Sequence, residues 1–327
     1  MKTSIVLDID ALPKHDCPVF FHSNALFRMV IHTPYLSPCL VLLKNERGGI
    51  IGRLLSIIEK RWNLFSISLF RCARIYGEGA YDASFFSSDA ERSEAFALMF
   101  DRTMKYLHEK SCFRIEVSDV SKKIFAYRVF RHYDFVPIPW LKIHNSLHSK
   151  PPTERLITKT AHRIEKAYKA GIKTWEASNE TEVSRLYELI RSYYRFRKQR
   201  HIPHRYLFLE IAKSQCGHVY ITSYKGRIIG GTVVVDSGKD ALIWFDTSLK
   251  RRFLFSYPHY ATIWFAIQQA FRCSKEHIRF MNVGLPYGRN QYRNFILGFG
   301  GKPVTSYRWF RFSFPLVNRF LYWCFRT

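Results

Sequence analysis

The sequence predicts an α/β (α+β) protein built from two tandem lobes, each a mixed, mostly antiparallel sheet flanked by helices. Three observations predict this class. Two β-rich hairpins occur far apart in the chain, an amphipathic helix follows each of them, and the order of elements in the first half returns in the second. A period this long is typical of domain duplication and not of a solenoid.

The two hairpins share one pattern. In the first half, apolar runs at 39–44 and 50–58 flank the polar turn NERGG. In the second half, runs at 218–224 and 228–236 flank the turn KGR. Ile-Ile-Gly follows the turn both times, and short glycine turns between β-rich runs indicate hairpins.

The match continues after the hairpins. Apolar residues at helical spacing predict helices over 91–110 and 260–274, and each leads into a short strand. Each half then reaches a Tyr-Arg-x-Phe helix, at 127–130 and 292–295, and finishes in an aromatic-rich strand, VPIPWLKIH or SYRWFRFSF. This shared order favours duplication over the alternative of two unrelated α/β segments.

A proline-containing stretch, Lys150-Pro151-Pro152, marks the boundary between the lobes, because proline restricts itself and the residue before it. We therefore expect lobes at 1–150 and 151–327. Thr153 is the expected N-cap of a basic helix that opens the second lobe, and a basic-aromatic tail closes that lobe.

Charge and cysteine content narrow the class of protein. The chain of 327 residues has 51 Lys and Arg against 26 Asp and Glu, a net charge of +25. Such a surface attracts polyanions such as RNA, anionic lipids, nucleotide cofactors, phosphorylated sugars or acidic carrier proteins, although it also fits an ordinary basic protein.

The seven scattered cysteines include no CxxC pair, which predicts reduced thiols and no zinc site. No apolar run approaches a membrane span, so we expect a cytoplasmic protein, free or at the inner face of the membrane.

Four strings carry a resemblance to a known family: PVFFHSNALF, KNERGGIIG, AHRIEKAYKAGI and FILGFGGKP. Together with the element order, they resemble the Fem-type (FemAB/FemX-like) branch of the GNAT acyltransferase superfamily, over nearly the whole chain. The sequence departs from that family at Phe295-Ile296, where many relatives have Phe-Lys. It also lacks the long coiled-coil arm of relatives that use aminoacyl-tRNA.

The resemblance implies direct attack of an amine on an activated acyl carbonyl, with no metal and no tightly bound cofactor. The acyl donor would be a co-substrate: acyl-CoA, acyl carrier protein or aminoacyl-tRNA. Its phosphates would lie over the start of a helix in the second half. The residues expected there are Lys250, Arg251, Arg252, Tyr257 and Tyr260. A solvated basic loop is the alternative for the three cations.

Three residues are candidates for catalysis. Asp246 is a polar residue inside the aromatic strand IWFDTS and could orient or deprotonate an amine, or simply begin a turn. His259 is a candidate base because histidine titrates near neutral pH, although it could equally be packed. Tyr287 lies in the loop that follows the last central strand of the second half.

Substrate contacts are expected in three places. An acidic, glycine-flanked loop in the first half supplies Glu78 and Asp82, and the basic helix supplies Arg163 and Lys166. The segment after the last central strand supplies polar groups at a strand's carboxyl end, where α/β folds bind ligands. These are Asn282, Arg289, Asn290 and Tyr292.

Three functions fit these features. The first is an N-acyltransferase that moves an acyl or aminoacyl group to a small-molecule or lipid-linked amine of a cell-envelope precursor. The second is an inactive GNAT scaffold that binds RNA or acts as an adaptor. As donors, tRNA or an acidic carrier protein are expected partners of the chain. The third is a peripheral membrane acyltransferase, whose basic-aromatic tail lies in the membrane interface or packs on the core.

Overall fold

The computed structural model describes residues 1–60, 71–86, 88–194, 202–249, 252–253, 255–286 and 290–325. Contacts divide the chain into two units. The first is Met1–Trp140 with Thr305–Thr327, and the second is Leu141–Val304. The sequence places 305–327 in the second lobe, whereas the structure places this segment in the first unit.

The elements that the sequence predicts occur in the predicted order, with further strands and helices between them. The strands are β1 (Lys2–Val6), β2 (Leu36–Lys44), β3 (Ile50–Lys60), β4 (Arg71–Tyr76), β5 (Ala80–Tyr81), β6 (Cys112–Val120), β7 (Val136–Ser146), β8 (Ile172–Glu176), β9 (Gly217–Tyr224), β10 (Arg227–Ser237), β11 (Asp240–Ser248), β12 (His277–Gly284) and β13 (Lys302–Phe312). The α-helices are α1 (Asn24–Ile31), α2 (Asp89–Glu109), α3 (Tyr127–His132), α4 (Thr158–Lys169), α5 (Glu180–Tyr194), α6 (Arg205–Lys213), α7 (Pro258–Arg272), α8 (Gln291–Leu297) and α9 (Pro315–Cys324).

The two units share one sheet plan. In the first unit the strand order is β1-β2-β3-β4-β6-β13, antiparallel throughout except for the parallel pair β4 and β6. In the second unit the order is β8-β9-β10-β11-β12-β7, again antiparallel except for the parallel pair β11 and β12. The identical pattern supports the duplication that the sequence predicts.

The sixth strand of each unit comes from the other half of the sequence. β13 pairs with β6, with Tyr307 opposite Val120. The second part of β7 pairs with β12, with Ser146 opposite His277. The sequence pattern places each aromatic-rich strand at the end of its own half, whereas the structure pairs each one with a strand of the other half. Local sequence pattern identifies a strand but does not specify its distant partner.

The core of the first unit depends on this late strand. α2 begins with a capping box, in which Ser88 and Glu91 each bond the other's backbone N–H. The apolar face of α2 packs on the sheet, together with Phe130 of α3. Trp309 of β13 stacks on Phe130 with ring centroids 4.6 Å apart, and it is fully buried.

One expected cap is wrong. Thr153 lies in a 3-10 turn, Pro152–Arg155, and α4 begins at Thr158 with Ile157 as its N-cap. The N–H of Ile157 donates to the carbonyl of Gly298, at 3.1 Å, so the chain is fixed immediately before the helix.

The basic-aromatic tail of the chain forms a strand and a helix, β13 and α9. Within the described residues, no helix is both long enough and apolar enough to cross a membrane.

A neutral histidine is built into the first unit. His22 is buried, and its Nδ1 accepts a hydrogen bond from the backbone N–H of Leu55, at 3.1 Å. A lone pair on Nδ1 requires the uncharged ring. Burial lowers the pKa of His22 to about 4, from the usual 6.5.

We predict that Trp309→Ala lowers the free energy of unfolding by about 3–5 kcal/mol, because it leaves a large cavity between β13 and α3. Urea denaturation measures this change. Trp323→Ala is the matched control, since that side chain is 74% exposed, and it should change stability by less than about 0.5 kcal/mol. Equal effects of the two substitutions would contradict the assignment of β13 to this core.

We predict that His22 makes stability fall as the pH is lowered from about 6.5 to about 4. In this window the unfolded chain takes up a proton that the folded protein excludes, so stability is lost towards acid and does not fall further below the folded pKa. The destabilisation caused by His22→Gln should shrink by about 3 kcal/mol between pH 7 and pH 4. Urea denaturation of the two proteins at several pH values tests this, with the exposed His108→Gln as control. A constant difference across the range would refute the prediction.

Candidate active site

The second unit contains a buried carboxylate that side chains from two helices hold. Asp246, near the end of β11, is 6% exposed and accepts two hydrogen bonds. Nε2 of His259, in α7, lies 2.9 Å from Oδ2, and the hydroxyl of Tyr292, in α8, donates to Oδ1 at 2.8 Å. The cluster of Asp246, His259 and Tyr292, called the triad below, is thus assembled from three different elements.

Strand alternation directs Asp246 towards these helices. Phe245 packs on Phe208 of α6, with ring centroids 5.0 Å apart. Successive side chains of a strand point to opposite faces, so Asp246 points away from α6. In the antiparallel pairing of β11 with β10, Asp246 lies opposite Thr232.

The starts of α7 and α8 fix the other two members. α7 begins with Pro258, so His259 lies in the first turn. α8 has Asn290 as its N-cap, whose side chain accepts a hydrogen bond from the N–H of Arg293 and donates to the carbonyl of Val283. This cap sets where α8 starts and therefore where Tyr292 points.

Aromatic packing holds the histidine ring. Phe295 stacks on His259 with ring centroids 4.3 Å apart and planes at 16°. Because Asp246 is a carboxylate, it accepts from Nε2, and a neutral His259 then has its lone pair on Nδ1. His259 is 6% exposed, whereas Tyr292 is only partly buried. Tyr292 is therefore the member of the triad that a substrate can reach most directly.

An arginine and two tyrosines lie beside the triad. The guanidinium of Arg163, in α4, lies 5.5 Å from the ring centroid of Tyr257 and 5.2 Å from that of Tyr260. Arg163 also donates to the hydroxyl of Tyr260. The ring of Tyr260 meets Phe295 edge-on at 4.8 Å, which connects this cationic cluster to the stack on His259.

The structure brings together many of the predicted site residues. Asp246, His259 and Tyr292 form the triad, while Tyr257, Tyr260 and Arg163 form the cationic cluster. Lys166 is exposed one turn further along α4, and Arg252 is exposed before α7. Asn290 is engaged as the helix cap described above, and Asn282 lies in β12. Lys250, Arg251, Tyr287 and Arg289 lie outside the described residues.

The two predicted acidic residues belong to the first unit and make local bonds. Glu78 accepts hydrogen bonds from the N–H and the hydroxyl of Ser121, both at 2.6 Å. Asp82 accepts from the N–H and the hydroxyl of Ser84. These hydrogen bonds stabilise the turns that follow β4 and β5.

Sequence reasoning placed Tyr292 among the substrate contacts and did not include Phe295. The repeated Tyr-Arg-x-Phe string was the available signal, because its Tyr and Phe are the residues that contact Asp246 and His259. In the first unit the same string opens α3, and Tyr127 packs edge-on against Trp309, with centroids 5.9 Å apart. Beside Tyr127 there is an open cavity of about 590 Å³.

Within the part of the chain that the structure describes, the first unit does not repeat the bond between Tyr292 and Asp246. In the shared Tyr-Arg-x-Phe string, Tyr292 corresponds to Tyr127, which packs against Trp309. Among the described residues, no group of three or more His, Cys, Asp or Glu side chains is placed to hold a metal ion.

No family model matches this chain, and no curated protein sequence matches it. Solved structures do match. FemX is 9% identical over the whole of both chains, with a TM-score of 0.63. A tandem GNAT protein from the clavulanic acid biosynthesis pathway is 10% identical over 96% of this chain and 99% of its own, with a TM-score of 0.57.

The chain has the tandem GNAT fold. The C-terminal domain of a protein described as a lysylphosphatidylglycerol synthetase, from Agrobacterium fabrum, also shares it. That domain is 11% identical over 96% of this chain and 94% of its own, with a TM-score of 0.58. The predicted fold class and the resemblance to the Fem-type GNAT plan are confirmed at the level of fold.

In this tandem GNAT chain, we predict that Tyr292→Phe lowers the free energy of unfolding by about 1.5–3 kcal/mol, because a buried carboxylate loses a hydrogen bond. Urea denaturation measures the loss. Tyr206→Phe is the control, since that ring is exposed, and it should be close to neutral. If Tyr292→Phe leaves the free energy of unfolding unchanged, the hydroxyl of Tyr292 does not bond Asp246.

Proposed function

We propose that this chain is an N-acyltransferase whose reaction occurs at the triad of the second unit. It moves an acyl or aminoacyl group from an activated donor to an amine. The observation that carries the proposal is the buried Asp246 carboxylate, held by His259 and Tyr292 at the starts of two helices. The tandem GNAT fold adds support for a transferase at the level of the superfamily.

The proposed step balances as follows. The amine nitrogen attacks the acyl carbonyl, a C–N bond forms, and the bond from the carbonyl carbon to the leaving group breaks. Tyr292 accepts the proton that the amine loses, while its own proton passes to Asp246. His259 holds that carboxylate in position through Nε2, and the proton on Asp246 returns through Tyr292 to the leaving thiolate or alkoxide.

The donor is proposed to lie against the start of α7. The N-terminus of a helix favours anions because its first backbone N–H groups have no partner within the helix. Arg163 and the exposed Arg252 add positive charge in the same unit, and Tyr257 and Tyr260 offer aromatic surface. These groups fit the phosphates of acyl-CoA, an acyl carrier protein or an aminoacyl-tRNA.

The acceptor is proposed to be an amine on a cell-envelope precursor, either a small molecule or a lipid-linked one, in the cytoplasm or at the inner membrane face. The net charge of +25 favours acceptors that carry phosphate or another anionic group. The alternative, an inactive scaffold that binds RNA or another protein, gives the triad no chemical task.

The first experiment is to find the donor by thermal shift, using coenzyme A, acetyl-CoA, a long-chain acyl-CoA, acyl carrier protein and aminoacyl-tRNA. A ligand that binds only the folded state raises the melting temperature. The positive donors are then assayed for transfer to a panel of amines.

With the donor in hand, we predict that Asp246→Asn and Tyr292→Phe each lower kcat about 10²- to 10⁴-fold, with little change in donor affinity, because each interrupts the proton path. His277→Gln is the matched control. His277 also pairs with an aspartate, Asp240, at 3.0 Å, but Asp240 lies about 20 Å from Asp246 along β11. This control should leave kcat unchanged.

Two outcomes contradict the proposal. Full turnover in both triad variants would exclude the triad as the site of reaction. Absence of a thermal shift with every donor, together with tight binding of RNA that weakens steeply with salt, would favour the inactive scaffold.

A further inference from the structure

The helix α9 exposes an unusual amount of apolar surface. Leu316 is 75% exposed, Phe320 61% and Trp323 74%. Their spacing of four and three residues places them along one face of the helix. The rings of Phe320 and Trp323 are neighbours, with centroids 6.3 Å apart. A contiguous patch of this kind on a protein surface marks an interaction site more often than isolated exposed residues do.

The opposite side of α9 is fixed to the first unit. Asn318 is buried, and its side chain both donates to the carbonyl and accepts from the N–H of Phe312, each at 2.8 Å. The guanidinium of Arg131 lies 4.2 Å from the ring centroid of Tyr322. The helix is therefore held in place by one side, and its apolar side is presented to the surroundings.

The charged residues of α9 and of the chain on either side of it are all basic. The segment 302–327 contains five Lys and Arg and no Asp or Glu. Arg319, on the flank of the apolar face, is exposed. Aromatic and aliphatic side chains on one face with arginine beside them are typical of helices that lie in the plane of a membrane interface, and the binding strengthens on anionic lipids.

We propose that α9 docks on an anionic lipid surface, with Leu316, Phe320 and Trp323 entering the region between head groups and acyl chains while Arg319 contacts head-group phosphates. This proposal goes beyond the acyl transfer and does not depend on it. It assigns to the first unit the attachment of the chain to a membrane.

A second copy of the chain is the less favoured occupant. α9 has 10 residues and is about 15 Å long, so its exposed face alone is small beside the 1,200–2,000 Å² or so that a stable protein interface buries. Self-association would also bring together two chains of charge +25. An anionic bilayer satisfies both the apolar face and the surrounding charge.

Vesicle flotation tests the proposal with the full chain. The vesicles are phosphatidylcholine alone, or phosphatidylcholine mixed with phosphatidylglycerol. We expect the wild type to float with the mixed vesicles. The triple variant Leu316→Ser/Phe320→Ser/Trp323→Ser should bind them at least about tenfold more weakly, because it lacks the three apolar side chains that are proposed to enter the bilayer. Arg319→Gln should weaken binding in a way that added salt reproduces.

A matched control tests whether vesicle binding is specific to α9 or is common to all exposed apolar residues of the first unit. Ile124, Phe85 and Leu98 are also exposed apolar residues of the first unit. The triple serine variant at these positions should bind the mixed vesicles like the wild type. Since the α9 side chains are exposed, the α9 variant should keep the melting temperature of the wild type, which shows that it is folded.

Depth is measured with brominated lipids. Quenching of tryptophan fluorescence should fall when Trp323 alone is changed to phenylalanine, because Trp323 is the ring proposed to enter the bilayer. The proposal is overturned if the wild type fails to float, or if the α9 variant floats as well as the wild type. It is also overturned if the wild type forms a concentration-dependent dimer that the α9 variant abolishes while neither protein binds vesicles.

Discussion

A carboxylate that is removed from water has to be hydrogen-bonded, and in the second unit this requirement organises everything near the site. Asp246 is buried at the end of a strand, and its two oxygens are satisfied by side chains from the first turns of two different helices. The start of α8 is set by an asparagine cap and that of α7 by a proline. Small local features of the sequence thus determine where the atoms of the triad lie.

Duplication followed by divergence explains the difference between the units. Both have the same order of six strands with one parallel pair in the same place. Both have a helix that opens with Tyr-Arg-x-Phe. In the second unit its tyrosine bonds a carboxylate, whereas in the first unit Tyr127 packs against Trp309. The first unit has kept the scaffold and added an exposed apolar helix, which no element of the second unit matches among the described residues.

Much of this arrangement could be predicted from the sequence, because it is local. Hairpins follow from apolar runs around glycine turns, and α2 and α7 follow from helical periodicity. Asp246 was recognisable because a charged residue inside an aromatic strand demands a partner, and His259 because histidine is the commonest general base. The partners of β7 and β13 were not predictable, since strand pairing between distant segments leaves no local pattern. The prediction that Thr153 is the N-cap of α4 was wrong for a related reason. The contact that fixes the start of α4 comes from Gly298, far along the chain.

The late arrival of β13 has a consequence for biosynthesis. The partner of Tyr307 is Val120, so the first unit remains open along one sheet edge until more than half of the chain has followed that strand from the ribosome. During that time the surface that Trp309 will cover is exposed, as is an unpaired strand edge, and both promote aggregation. The second unit, whose strands all lie in one continuous stretch, can close first. We therefore expect the order of folding to run against the order of synthesis, with the N-terminal unit completed last.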